Sequence, residues 1–274
     1  MKRLFEVACA VTAGLAFAFL LLPLVALFLR VSPGALVSAL VSEPAREALL
    51  VSLETSAIAH VIILAAGTPV AYLLGTRDFR GRRALIAAVE LPLVLPPAVA
   101  GIALLAAFGS RGLLGDELDL LGVSLPFTQA AVVLAIVFVA SPFYIRQAVA
   151  AFGAVDRTLL DAARTLGAAP GRVFARVALP LAAGGLGAGS SLAFARGLGE
   201  FGATIIFAGS FPGETRTAPL AIYAELDRDF DVAVALGALL VLVSVAVLAA
   251  VSLLPAWTRF TSSSATTFAP SAST

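Results

Sequence analysis

Six long apolar segments, at about residues 7–29, 51–75, 84–108, 129–150, 181–208 and 232–255, are separated by shorter stretches that hold most of the charge. Each is as long as the roughly 20 residues a helix needs to cross the hydrocarbon of a bilayer. No water reaches backbone N–H and C=O groups there, so such segments satisfy them internally as helices. The pattern predicts an all-α integral membrane protein with six transmembrane helices. Two segments carry helix-weakening residues. The third contains Leu91-Pro92-Leu93-Val94-Leu95-Pro96-Pro97, and the fifth has glycines at 184, 185, 187, 189, 197, 199 and 202. Prolines interrupt the hydrogen-bond ladder, and glycines permit close packing and bending.

Composition agrees and charge sets the orientation. At 60% hydrophobic and 13% charged over 274 residues, the chain is too apolar for a water-exposed globule; its net charge of +1 averages opposite ends and argues nothing about nucleic acid, which is not among the expected partners. With the N-terminus inside, the cytoplasmic side holds twelve basic residues: Lys2, Arg3, Arg77, Arg80, Arg82, Arg83, Arg146, Arg157, Arg164, Arg172, Arg176 and Arg259. The opposite side holds five, Arg30, Arg46, Arg111, Arg216 and Arg228. That asymmetry predicts cytoplasmic termini. Ten of the seventeen carboxylates fall in the outward loops, among them Asp116, Glu117 and Asp119. Met1-Lys2-Arg3 precedes an apolar run longer than the about 7–15 residues of a secretory signal, so a retained first helix is expected. Tyr72, Tyr144 and Trp257 fall near cytoplasmic helix ends and read as interfacial anchors. The chain divides into a first helix and outer loop (1–50), five further helices (51–255) and a Ser/Thr-rich tail (256–274) expected to be disordered.

One cytoplasmic loop has a pattern of its own. Asp156 is a good N-cap for a short helix over about 157–166, in which Leu159, Leu160, Ala163 and Leu166 recur at helical spacing before Gly167. Pro170 can start a second short helix, with Arg172 and Arg176 on one face, that leads to Leu179-Pro180. Two short helices at a bend would form a knob that either docks on another protein or lies against the membrane. The residues Asp161-Ala162-Ala163, then Gly167, then Val177, Leu179 and Pro180 resemble the loop of ABC-importer permeases with the pattern Glu-Ala-Ala, three residues, Gly, nine residues, Ile, one residue, Leu-Pro. Here Asp161 replaces the Glu and Val177 the Ile. The resemblance implies a type I importer transmembrane fold, with Asp161, Ala162, Ala163, Gly167, Val177, Leu179 and Pro180 forming the surface that couples to a separate ATPase subunit.

The fifth segment holds Leu192-Ala193-Phe194-Ala195-Arg196-Gly197-Leu198-Gly199-Glu200-Phe201-Gly202-Ala203-Thr204. Charged residues within a span are costly and face protein or water. Arg196 and Glu200, four apart, either pair with each other or line a path, with Gly199 and Thr204 beside them. This run and Pro212-Gly213-Glu214-Thr215-Arg216-Thr217-Ala218-Pro219 resemble the molybdate permease branch, as do the proline run at 91–97 and Gly109-Ser110-Arg111-Gly112-Leu113-Leu114-Gly115. Sulfate permeases share part of this framework. The resemblance implies a homodimer in the plasma membrane of a prokaryote, with the path for molybdate or tungstate on its axis, an ATP-binding subunit dimer and an extracytoplasmic substrate-binding protein. ATP and Mg would be used by the partner ATPase.

Other polar residues support less. His60 stands alone in the second segment and reads as a packed or hydrogen-bonded histidine rather than a metal ligand; Glu54 and Glu90 are expected near span ends, and Cys9 in ordinary helix packing. There is no Gly-x-x-x-x-Gly-Lys-Ser/Thr loop, so no cofactor is expected on this chain. No catalytic or metal constellation stands out in a span. An ATP-independent carrier is the remaining alternative, and it would have no need of the knob.

The charge asymmetry makes a direct prediction. In a Cys9→Ser background, Arg82→Cys and Arg172→Cys should react only with a thiol reagent supplied from the cytoplasm, and Asp116→Cys, Glu117→Cys and Asp119→Cys only with one supplied outside. Reversed labelling would overturn the topology.

Overall fold

Helices in a bilayer have no solvent to drive them together, so they associate where small side chains let backbones approach. The computed structural model describes residues 1–252, and its core is built on such positions. Every element among the described residues is helical. In chain order they are α1 (Lys2–Arg30), α2 (Pro33–Val41), α3 (Glu43–Thr76), α4 (Arg82–Val94), α5 (Pro97–Phe108), α6 (Gly115–Leu120), α7 (Gln129–Gly153), α8 (Arg157–Thr165), α9 (Pro170–Val173), α10 (Leu179–Leu198), α11 (Gly202–Phe207), α12 (Ala218–Leu226) and α13 (Phe230–Ser252). A π turn over Phe174–Ala178 joins α9 to α10, and Pro170–Leu198 forms one rod of 29 residues.

The centre is α7. Its buried residues Val132, Ile136, Ala140, Tyr144, Ala148 and Phe152 recur every fourth position. On α3 the matching row is Val51, Thr55, Ala59, Ile63, Gly67, Ala71 and Gly75. A Cβ on Gly67 would lie 2.9 Å from Tyr144 Cδ1, and one on Gly75 would lie 2.8 Å from Phe152 Cβ. Both contacts advance in the same direction along the two helices, so α3 and α7 run parallel. Across α7, a Cβ on Gly185 would meet Ala151 at 2.5 Å, one on Gly189 Gln147 at 2.9 Å and one on Gly197 Ile136 at 2.8 Å. The partner numbers fall as the glycine numbers rise, so α10 is antiparallel to α7.

Five helices among the described residues are long and apolar enough to cross a membrane: α1, α3, α7, the Pro170–Leu198 rod and α13. The pair α4 and α5 is long and apolar enough when taken together, and the interruption expected from the proline run at 91–97 falls between them. The two halves turn by 115° at their junction. Pro96 and Pro97 supply no N–H to the ladder there, and the ring of Pro97 packs directly on Gly202. The fifth expected span, 181–208, is corrected at both ends: it begins at Pro170, and it stops at Leu198 ahead of a non-helical joint over Gly199–Phe201. Similarly, α3 begins at Glu43 rather than residue 51, and α2 adds a short outer helix capped by the Ser32 hydroxyl, which accepts from the Ala35 N–H at 3.1 Å.

Of the two described tyrosines expected as interfacial anchors, Tyr144 is a core group and Tyr72 is half-buried against the core. Tyr144 is buried between α3 and α7 and shares a 2.6 Å hydrogen bond with Thr68, while Tyr72 stacks edge-on against Phe152 and Phe174 at 5.4 and 4.9 Å. Their place near helix ends suggested the membrane surface, yet the close approach at Gly67 and Gly75 draws that face of the bundle inward. By contrast, none of the residues of α1 is buried, and Cys9 lies exposed on it. The expected anchor Trp257, the count at Arg259 and the disordered tail over 256–274 lie outside the described residues.

If the glycine rows hold α3 to α7, Gly67→Leu should lower stability by about 1–3 kcal/mol through overpacking against Tyr144. Gly14→Leu on α1, where a Cβ meets nothing within 4 Å, should leave it unchanged. Thermal unfolding of the two variants in the same detergent checks this, and equal midpoints would refute it.

Candidate functional site

At one end of the bundle α8 folds as a separate knob, and its ends are set by local chemistry. The Asp156 carboxylate accepts from the Thr158 N–H at 2.9 Å, which satisfies an orphan donor of the first turn. At the other end Gly167 takes φ +81°, its N–H donates to the Arg164 carbonyl at 2.9 Å, and the Ala168 N–H donates to the Ala163 carbonyl at 3.0 Å. That pair of bonds is a Schellman stop and favours glycine. The knob faces two ways. Leu160 is buried and Ala163 packs on the core, whereas Leu159, Asp161, Ala162 and Leu166 are exposed. Asp161 pairs with Arg164 at 2.7 Å on the outer face. Val177, Leu179 and Pro180 are half-buried and belong to the rod, so the second short helix expected after Pro170 is the head of a long span.

Arg157 ties the knob to the loop after α3, donating to Asp78 at 2.8 Å, and Arg82 Nε donates to the Leu74 carbonyl at 2.6 Å. The Arg157 hydrogen bond and charge hold the Asp78 carboxyl below its ordinary value near 3.8; the bonds to Thr158 do the same for Asp156. A depressed carboxylate adds stability above its unfolded value and loses it as pH falls through the folded one. Both contributions are therefore complete throughout neutral pH. Sequence reasoning found the Asp156 cap but missed the Asp78 pair, because its partners lie 79 positions apart.

The second constellation sits at the far end of the rod. Arg196 Nη2 lies 2.7 Å from Glu200 Oε2, and the two side chains are 29% and 1% exposed. Glu200 Oε1 accepts from the Ala203 N–H at 2.8 Å, so this carboxylate reaches across the joint and caps the start of α11. Thr204 is fully buried one turn further on, and its hydroxyl has no hydrogen-bond partner among the described residues. Gly199 is exposed. The four residues are thus brought together, with Arg196 and Gly199 open and Glu200 and Thr204 enclosed. The cap on Ala203 had no signal in the sequence, since it needs the helix to stop at Leu198.

Three polar contacts support the surrounding helices. His60 Nε2 shares a 2.9 Å hydrogen bond with Ser190, joining α3 to α10. The Ser52 hydroxyl accepts from the Ala218 N–H at 2.7 Å, which satisfies a first-turn donor of α12 from another helix. Arg146 lies 3.5 Å from Glu90 between α7 and α4.

Residues 67–259 match the model of a family described as the binding-protein-dependent transport system inner membrane component. The chain belongs to that family. It is 46% identical over 226 residues to the molybdenum transport system permease protein ModB of Mycobacterium tuberculosis, covering 82% of this chain and 86% of that one. The Escherichia coli K12 protein of the same name is 44% identical over 185 residues, 67% and 81% of the two chains. A probable sulfate transport system permease protein from Nephroselmis olivacea is 34% identical over 262 residues, 94% and 92%. Among solved structures, a bacterial alginate ABC transporter in complex with an alginate pentasaccharide-bound periplasmic protein superposes with a TM-score of 0.73 at 16% identity, covering 91% of this chain and 93% of that one. The inward-facing MetNI methionine ABC transporter gives 0.58 at 21% identity, covering 77% and 99%. Likeness at these identities establishes the shared importer-permease fold.

Loss of the cap should fray the knob. Asp156→Ala is expected to cost α8 about 1 kcal/mol, seen as several-fold faster amide exchange at Thr158 and Leu159, with Asp156→Asn close to the parent. In the parent those exchange protections, corrected for intrinsic rates, should not change between about pH 5 and 8, since both carboxylates titrate well below that window.

Proposed function

We propose that this chain is the permease subunit of an ATP-driven importer for molybdate or tungstate, working as a homodimer with an ATP-binding subunit dimer and an extracytoplasmic binding protein. The observation that carries the coupling half of this reading is the outward face of α8. Leu159, Ala162 and Leu166 stand exposed on a knob that is pinned at Asp78 and locked at Gly167. An apolar face this small, set among charged residues and rigidly held, suits a protein groove better than a lipid surface. The cargo rests on the molybdenum-transport relatives at 44 and 46% identity; the sulfate relative, at 34%, supports a second reading less strongly.

The coupling surface comprises Asp161, Ala162, Ala163 and Gly167, with Val177, Leu179 and Pro180 behind it. In this mechanism the ATPase dimer binds and hydrolyses ATP with Mg, and its closure moves α8. The movement passes through Ala163 into the rod, whose 29 residues extend roughly 43 Å at 1.5 Å per residue. A stiff rod carries displacement from the cytoplasmic face to the joint at Gly199–Phe201, where the helix axis is already interrupted. Alternating access follows if the joint and the bent α4–α5 pair rearrange together, which their contact at Gly202 and Pro97 favours.

Because Ala163 faces the core, the substitution that tests docking is at its exposed neighbour. Ala162→Arg should leave the subunit inserted and thermally stable but reduce co-purification with the ATPase, and it should lower molybdate-stimulated ATP hydrolysis in proteoliposomes at least about tenfold. Unchanged assembly and hydrolysis would refute the assignment of this surface.

A further inference from the structure

We propose that Arg196 is the group that meets the oxyanion in transit, and that Glu200 is a positioning residue that never touches it. This rests on the import of a tetrahedral dianion argued above. The two side chains differ sharply in access: Glu200 is 1% exposed and Arg196 29%. Glu200 Oε1 accepts from the Ala203 N–H at 2.8 Å, and Oε2 is buried 2.7 Å from Arg196 Nη2 in an ion pair that has no hydrogen-bond geometry. The side chain is enclosed and its charge is paired, so a passing anion finds no exposed carboxylate edge.

Arg196 lies on the open side of its helix. Leu181, Gly184, Ala188 and Leu192 are exposed along α10 and Gly199 just after it, and Arg196 falls in that strip at successive spacings of three, four, four, four and three, whereas Ala182, Leu186, Gly189, Ala193 and Gly197 form the buried side against α7. Three of these five exposed positions, Gly184, Ala188 and Gly199, are glycine or alanine, which leaves lateral room along the strip. An Arg carries five N–H donors. Among the described residues Glu200 is the one acidic group on Arg196, through a single nitrogen, so donors remain for an incoming acceptor.

The pairing also sets the strength of that contact. A lone guanidinium in a low-dielectric span would hold a dianion and stall transport, because a conducting site must bind weakly enough to release. A buried carboxylate 2.7 Å away offsets much of the positive field. By bridging to Ala203, Glu200 also links the charge state of this site to the joint between α10 and α11. The Arg thus sits where the rod ends and the path is able to change shape.

The test is initial uptake of labelled molybdate, and in parallel labelled sulfate, by proteoliposomes holding the complete transporter and its binding protein, with permease content matched. The variants are Glu200→Gln and the charge-neutral double variant Arg196→Gln with Glu200→Gln, which avoids an unpaired buried charge. For the double variant, maximal uptake should fall about tenfold or more, as expected for loss of a charged hydrogen-bond donor, with the half-saturating concentration held near the parent's because capture lies upstream. Glu200→Gln keeps an acceptor for Ala203 but unmasks Arg196. Its maximal uptake should fall several-fold, and anion trapped inside the liposomes should inhibit it at about tenfold lower concentration than the parent. Near-parent uptake by the double variant would make the pair purely structural and overturn the proposal, as would Glu200→Gln with parent-like rate and inhibition. A parent that imports neither anion would instead overturn the functional reading, and this assignment with it.

Discussion

Close backbone approach along α7 is the constraint on which the rest of this molecule depends. Lipid tails are as apolar as the helices themselves, so burial from water does not hold the spans together. What does is the pairing of Gly67 and Gly75 with Tyr144 and Phe152 on one side, and of Gly185, Gly189 and Gly197 with Ala151, Gln147 and Ile136 on the other. These contacts set α3 parallel and α10 antiparallel to α7. They also fix the register in which His60 reaches Ser190 and Ser52 reaches the Ala218 N–H, two polar contacts that a shift of one turn would break.

Around this stiff trio the irregular backbone is placed where protein can satisfy it. The α4–α5 bend and the Gly199–Phe201 joint abut at Gly202 and Pro97, and a further close approach joins Gly101 to Ile206 and the Ala203 carbonyl. Unpaired N–H groups at such a break would be expensive in a bilayer. Glu200 answers part of that cost by capping Ala203. The buried carboxylate thus has a structural duty whatever the path requires of Arg196, and the two broken elements are positioned to move as a unit.

At the opposite end, rigidity is local. The Asp156 cap and the Schellman stop at Gly167 define α8 within the chain, and the Asp78–Arg157 pair fastens it to a loop from a different span. The inward contact of Ala163 and Leu160 joins this knob to the rod that starts at Pro170. Outward and inward faces therefore belong to one short helix, which suits an element proposed to pass movement between two proteins.

How much of this was legible follows from the range of each interaction. Apolar runs and the 157–166 helix with its cap and its glycine stop depend on neighbours within a few positions, and the sequence alone determined them; for Arg196 and Glu200 it offered pairing or a path, and the structure shows the pair. Membership of the importer-permease family was also legible there, in the Asp161–Pro180 and Arg196–Thr204 patterns. Tertiary structure decided the rest. Tyr144 went to the core because Gly67 lies opposite it, and the breaks near residues 95 and 200, which local prolines and glycines permit, were brought side by side where Pro97 meets Gly202. Ala163 turned inward while Ala162 remained exposed, and Glu200 became enclosed while Arg196 stayed open. Each of those outcomes depends on which helix lies alongside, and contacts between residues tens of positions apart leave no periodic trace in a single sequence.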